Sequence, residues 1–494
     1  MRRATDFMTR SVATDGGYVW SYLPDLSRRW GEMEATPSMI WTQAPGTPEM
    51  GQIFLDAWRA TGDGLYLDAA ITTGDALVKG QHPSGGWNYI IDTAGEASLR
   101  RWYDTVGRNG WRLEEFQHYY GNATFDDHAT IECGRFLLRL ALETGEHRFS
   151  HAVDQTVAFV LDSQLPSGGW PQRWPRAEPF SNHGRPDYTG LITLNDEVMD
   201  ENIAFLLLAL QQWKREDVRP AVLRAMNCYR DLQQPAPSPG WALQYTHDFK
   251  PAWGRTYEPA AVSPHVTAAA VDRMLDFYRL TGDRSFLARV GEALDWLQLV
   301  EAPAAAHHEG RNHFRFIEPG SNRVIVVRRR GSNAQNGAYY TEYDMTGQQA
   351  EKHINLPRLR SKFEQVAALT SDAAVRGSVL LGEGASLLPP YVITQPQGGS
   401  DLNASARLTP VASLVDGLNS EGWWPVELRT TSHPYRGPGP AEPPSGFVDR
   451  GQVGDAWDTS PFTDPSGPMG ISTGTYINNM SRLIGWLKQT GSAA

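Results

Sequence analysis

Two acidic runs and two arginine-bearing stretches hold the residues whose types and spacing suit chemistry. The first run is Ala123-Thr-Phe-Asp-Asp-His-Ala-Thr130, and the second is Leu191-Ile-Thr-Leu-Asn-Asp-Glu-Val-Met-Asp-Glu201. Each enters a helical pattern. Asp126 and Asp127 can act there as N-cap and dipole partners, worth about 0.5–2 kcal/mol. The second run crowds Asn195, Asp196, Glu197, Asp200 and Glu201 into about two turns, where one cap needs a single oxygen. Like charges four residues apart cost helix stability, and a hard cation such as Ca²⁺ would offset that through oxygen ligands. Arg255 lies in Lys250-Pro-Ala-Trp-Gly-Arg-Thr-Tyr-Glu-Pro259, a proline-bounded aromatic loop. It reads either as a surface arginine or as a cation placed for a task. Phe314-Arg315-Phe316, followed by Arg328-Arg329-Arg330, suits a solvated hairpin or a carboxylate clamp, for which the guanidinium fork is well shaped. The loop aromatics Trp170, Trp174, Tyr188 and Tyr257 can stack on sugars or simply pack.

The elements that must position these residues follow from a repeat. Gln81-His-Pro-Ser-Gly-Gly-Trp87 and Gln164-Leu-Pro-Ser-Gly-Gly-Trp170 each follow a helix that opens after a Thr-Gly-acid turn. Gly62 precedes Gly86 by the same interval as Gly145 precedes Gly169, the mark of a repeated helix-turn-helix-loop unit. A third copy runs Val266 to Leu280, turns at Thr281-Gly282-Asp283 and resumes from Phe286 to Leu297; Trp241 and Trp424 end weaker echoes of the loop. Helical periodicity also marks residues 51–80, 130–142, 149–161 and 475–489. The pattern predicts an all-α fold, an α/α toroid with long loops and a few short β segments, formed as one body over residues 1–494. The clearest strand signal is Arg323-Val-Ile-Val-Val327. The loops 88–124, 171–193, 238–265, 302–348 and 430–470 are long enough to be functional.

Composition sets the outer limits. Apolar residues make up 40% of the 494 and aromatics 11%, which is ample for a core. No run of 18 apolar residues suggests a membrane span. A net charge of -11 gives no basic footprint for nucleic acid. Cys133 and Cys228 lack a metal-site spacing and read as buried free thiols. The opening Met1-Arg-Arg-Ala-Thr-Asp shows no apolar leader segment, which leaves the compartment open.

Taken together, five motifs resemble those of the pectic acid lyases of polysaccharide lyase family ten, over roughly residues 50–345. They are Thr-Phe-Asp126-Asp-His-Ala-Thr, Gln164 to Gln172, Ile192-Thr-Leu-Asn-Asp196, Trp253-Gly-Arg255-Thr-Tyr-Glu258, and Phe314-Arg315-Phe-Ile-Glu-Pro-Gly-Ser-Asn322 with Arg329. The resemblance implies Ca²⁺-dependent β-elimination on polygalacturonate. By it Asp126, Asp127 and Asp196 serve the metal, Asp126 also belongs to the catalytic set, Arg255 is the base, and Arg315 and Arg329 hold substrate carboxylates, with Trp170, Tyr188 and Tyr257 as sugar-stacking candidates. It implies a monomer with an acidic polysaccharide or oligosaccharide substrate, exported to the periplasm or medium. The chain departs from the family pattern at His128, at Glu197, in an inserted segment from Arg176 to Thr189, and in its first 50 residues.

Removing the C5 proton of a uronate builds negative charge next to a carboxylate, so the site must concentrate positive charge there. Arginine ordinarily stays protonated, which keeps His128 open as a rival base on its intrinsic pKa. A glycoside hydrolase of the same fold, using a carboxylate pair such as Asp126 with Asp196 or Glu197, is the main alternative. A lyase acting on another uronate polymer, a glycan-binding protein without a base, and a triterpene cyclase are further ones.

Overall fold

The computed structural model describes residues 1–107, 114–181, 184–330, 338–382, 384, 387–388, 392–394, 410–428 and 469–491. The chain forms two compact units. One comprises Met1–Phe159, Arg330–Ala338 and Leu388–Ala494; the other comprises Val160–Arg329 and Tyr339–Leu387. The helix-pair, α/α-toroid class read from the repeat is the class observed. Among the described residues, no helix is long and apolar enough to cross a membrane.

In the first unit the predicted pairs are the helices Thr47–Thr61 with Gly64–Gly80, and Ala129–Thr144 with His147–Asp162, the last crossing the unit boundary. Gly62 and Gly145 end their helices at φ 69° and 68°, a left-handed cap that costs glycine nothing. The first 50 residues, which matched nothing by sequence, are tied into this unit. Strand Ser21–Tyr22 pairs antiparallel with Arg29–Trp30 on one side and with Met469–Ser472 on the other. The helix that follows, Thr473–Gln489, packs Tyr476 edge-on against Phe54 at 6.1 Å.

The second unit holds the helices Val198–Gln212, Arg219–Asp231, Pro264–Thr281, Val290–Leu299 and Leu356–Ala367. Its third turn glycine, Gly282, repeats the left-handed cap at φ 74°. The strand expected at 323–327 lies further on, at Val326–Arg330, hairpinned with Ala338–Glu342. The displacement has a cause: Val324 bridges to Ile317 and Ile325 N donates to Phe316 O at 2.9 Å, so those residues are already paired elsewhere.

The glutamine-to-tryptophan loops are joints between successive helices. The indole N–H of Trp87 donates to Leu77 O, that of Trp170 to Val160 O and that of Trp241 to Tyr229 O, each at 2.8 Å. The glutamine amide closes its own loop and reaches the next helix: Gln81 to Gly85 O and Ala152 O, Gln164 to Gly168 O and Ala221 O. Gln233, in the weak echo, donates likewise to Pro239 O and to Arg289 O at the head of the next helix. At Gly168, φ is 96° and a Cβ would lie 2.4 Å from Arg224 O, so no other residue fits. Cys133 and Cys228 are buried and free, as expected.

Candidate active site

Both acidic runs form the same strained turn. Asp127 and His128 have φ of 46° and 61°, and Asp196 and Glu197 have 48° and 58°. Two consecutive left-handed non-glycine residues are costly, of order 1–3 kcal/mol each, and such cost concentrates at functional sites. Neither turn gives its helix a side-chain cap, so the plain N-capping role does not account for them. Each hangs from a tryptophan loop: Thr124 N donates to Trp87 O at 2.8 Å and Thr193 N to Trp170 O at 3.0 Å.

The matching backbone fixes a register that sequence left ambiguous. Asp127 is the counterpart of Asp196, while Asp126 is the counterpart of Asn195. Asp126 is fully buried and accepts from the Tyr89 hydroxyl. Asp127 is half-buried and accepts from Gln43 Nε2 at 2.6 Å, an amide that also donates to Glu32 Oε2 at 2.9 Å.

In the second unit Arg255 sits at the centre of a charged knot. Its side chain is 7% exposed, with Nη1 3.2 Å from Asp196 Oδ2 and 3.1 Å from Glu258 Oε1. Its backbone N donates to Glu258 Oε2 at 3.0 Å, which pins the loop and its side chain to one carboxylate. Asn195 Nδ2 lies 2.7 Å from Asp196 Oδ2 and 3.3 Å from Glu258 Oε1. Arg315 approaches the same Oε1 at 3.7 Å while its guanidinium stands over the Phe316 ring. Arg255, Asp196 and Arg315, named separately from three motifs, therefore share one neighbourhood. Glu258 joins them as the hub that sequence reading passed over.

Other expectations are corrected. Trp170 is fully buried and Tyr188 is 4% exposed; neither has a ring face open to a sugar. Tyr257 is half-buried, with its ring 5.2 Å from that of Tyr339. The side chain of Arg329 lies outside the described residues. From the inserted segment, Arg185 stacks on Trp253 at 3.2 Å, two residues before Arg255. His265, Gln244 and Lys352 also belong to this region and were missed. Gln244 is fully buried against Gly254, where a Cβ would meet Gln244 Oε1 at 2.2 Å.

Asp200 leaves the acidic run altogether. The helix starts only at Val198, and Asp200 turns to Arg273, with Nε and Oδ1 3.4 Å apart. Burial lifts its carboxyl to about 7, against the pull of Arg273 and with a smaller push from Glu197 and Glu201. An acid raised in the folded state makes folding less favourable as pH climbs from the unfolded value near 4 through 7. Asp200→Asn should therefore raise the urea midpoint relative to the parent at pH 8, with the gain vanishing toward pH 5. An equal change at both pH values would mean that the carboxyl titrates normally.

The donors near Asp196 are carboxylate and amide oxygens, the set a hard cation takes. One oxygen each of Glu197 and Glu201 lies within 4.8 Å of the other. The residues therefore fit Ca²⁺ by donor chemistry.

With the fold and this knot of acids and arginines in view, comparison with known proteins gives the class: an enzyme of the polysaccharide lyases. The particular family whose model matches is that of the pectic acid lyases, over residues 102–333, a span that takes in all five motifs and Arg329. Among solved structures, a family 10 polysaccharide lyase from Cellvibrio cellulosa is 16% identical, covering 65% of this chain and 98% of that one at a TM-score of 0.39. A mutant of that enzyme in complex with trigalacturonic acid gives 15%, 65%, 99% and 0.39. The α-1,6-mannanase GH76A of Salegentibacter sp. HEL1_6 is 11% identical over 98% of this chain and 97% of that one, at 0.34. No curated protein matches.

Proposed function

We propose that this chain cleaves polygalacturonate by Ca²⁺-assisted β-elimination, with Arg255 taking the C5 proton. The observation that carries this reading is the convergence of Arg255 and Arg315 on Glu258 beside Asp196. The elimination needs a proton acceptor and cationic groups for the carboxylate at the same place. Glu258 holds the Arg255 loop and guanidinium in one orientation. Arg315 binds and orients the substrate carboxylate, and Arg329 is its proposed partner. Tyr257 offers a ring to the sugar. Asp196 is a proposed Ca²⁺ ligand. It would hold the Ca²⁺, which would supply positive charge to the uronate carboxylate.

The hydrolase reading is weaker. It requires one carboxyl kept protonated at the cleft; the carboxyl of Asp200 is raised, but it is turned toward Arg273. Ultraviolet absorbance of unsaturated uronate during incubation with polygalacturonate tests the proposal. Product should accumulate with Ca²⁺ and cease with a chelator, returning when Ca²⁺ is restored. Reducing ends without unsaturation would select the hydrolase.

A further inference from the structure

The extended segment 313–317, which carries Arg315, is paired on both sides. Val262 and Ile317 exchange backbone hydrogen bonds, each 2.9 Å, and three residues after Val262 comes His265 in the first turn of Pro264–Thr281. On the other side His313 and Lys352 exchange bonds of 3.0 and 2.9 Å, which places Lys352 a diagonal neighbour from Arg315, within about 8 Å along paired strands. Arg315 N also donates to Glu351 Oε2 at 3.2 Å. Three segments distant in sequence thus bring an imidazole, a guanidinium and an ammonium together.

Their donors are open. Among the described residues, Lys352 Nζ has no hydrogen bond or ion pair, and His265 Nδ1 and Arg315 Nε are buried without a partner. Among the described residues the Arg315 side chain forms one ion pair, with Glu258 at the long distance of 3.7 Å. Burial, and then Arg315, push the Lys352 ammonium down, against Glu351 and Asp196. Burial, then Lys352 and Arg315, hold His265 well below its usual value. Buried donors left open and like charges held together both cost stability. The start of an 18-residue helix adds positive potential at His265. One anion would satisfy all of these groups.

We infer that His265, Arg315 and Lys352 form a binding site for a single uronate carboxylate next to Arg255, in which Lys352 and His265 select substrate without taking part in proton transfer. This rests on the proposed lyase reading for the identity of the anion. Calorimetric titration of the full chain with trigalacturonate, and with its methyl ester as a control, tests it. Lys352→Met should weaken trigalacturonate binding about tenfold or more, and His265→Asn should weaken it less. Lys352→Arg should bind nearly as the parent does. Ester binding should be unchanged in all three. In turnover, Lys352→Met should raise KM while kcat persists. Its melting temperature without ligand should rise, since an unpaired like charge is gone; a merely structural lysine would lower it.

Equal trigalacturonate affinity in parent and Lys352→Met overturns the inference. So does a parent that binds neither trigalacturonate, glucuronate oligomers nor sulfate. A parent that binds trigalacturonate through Lys352, yet releases no unsaturated product, leaves the anion site standing and removes the lyase reading instead.

Discussion

Arg255→Ala should lower kcat on polygalacturonate by about 10²–10⁴-fold, the range expected for loss of a positioned acid–base group, with a much smaller change in KM. The split follows from geometry. Arg255 is nearly buried, and its guanidinium is spent on Asp196 and Glu258 rather than on open surface. Ground-state binding of the carboxylate falls instead to Arg315, 30% exposed. Loss in kcat with KM nearly kept marks an interaction made mainly in the transition state. Arg255→Lys should recover little, because one ammonium cannot meet Asp196 and Glu258 with the geometry of the fork. Alanine also strands Glu258, which is 2% exposed, so circular dichroism and the melting temperature must accompany the assay. Retention of a tenth of the parent turnover by a folded Arg255→Ala protein would remove Arg255 as base. His128→Ala would then be the next variant to assay.

The largest stability effect is expected far from this chemistry, at Asp56 in the first unit. Asp56 is fully buried and stands 2.7 Å from Arg139 Nη2, itself 5% exposed. Its two oxygens also accept from Val392 N at 3.1 Å, Thr394 N at 2.6 Å and Thr394 Oγ1 at 3.1 Å. The carboxylate thus anchors the segment 392–394 to the helix Thr47–Thr61 while neutralising an arginine from Ala129–Thr144. Asp56→Ala leaves that arginine buried and unpaired, a change worth about 3–5 kcal/mol. Urea denaturation should show the midpoint fall by that measure. The double variant with Arg139→Ala should be less destabilised than the sum of the singles, since the stranded charge is then absent. Simple additivity would show that the pair is not coupled.

Much of the fold was legible because its signals are local. Helical periodicity, the left-handed glycines at 62, 145 and 282, and the constant interval to the tryptophan loops each depend on neighbours within a few turns. The acidic turns and Arg255 were legible as positions for the same reason. Their roles were less so. Asp126 and Asp127 are adjacent and identical in type; only the hydrogen bond from Thr124 to Trp87, matched by Thr193 to Trp170, sets which one corresponds to Asp196. Aromatic loop residues look alike in sequence, yet Trp170 is inside, its indole N–H held by Val160 O, and Tyr257 is half outside.

By itself, then, the sequence determined the helix pairs, the joints between them and the segments that carry acid and arginine. Tertiary structure alone decided which charges meet. Glu258 became a hub by folding back on its own loop, and Asp200 was withdrawn to Arg273. His265 and Lys352 reached Arg315 through backbone pairing of segments far apart in the chain. Coulomb forces and desolvation act through space, and no local pattern of residues encodes the distances on which they depend.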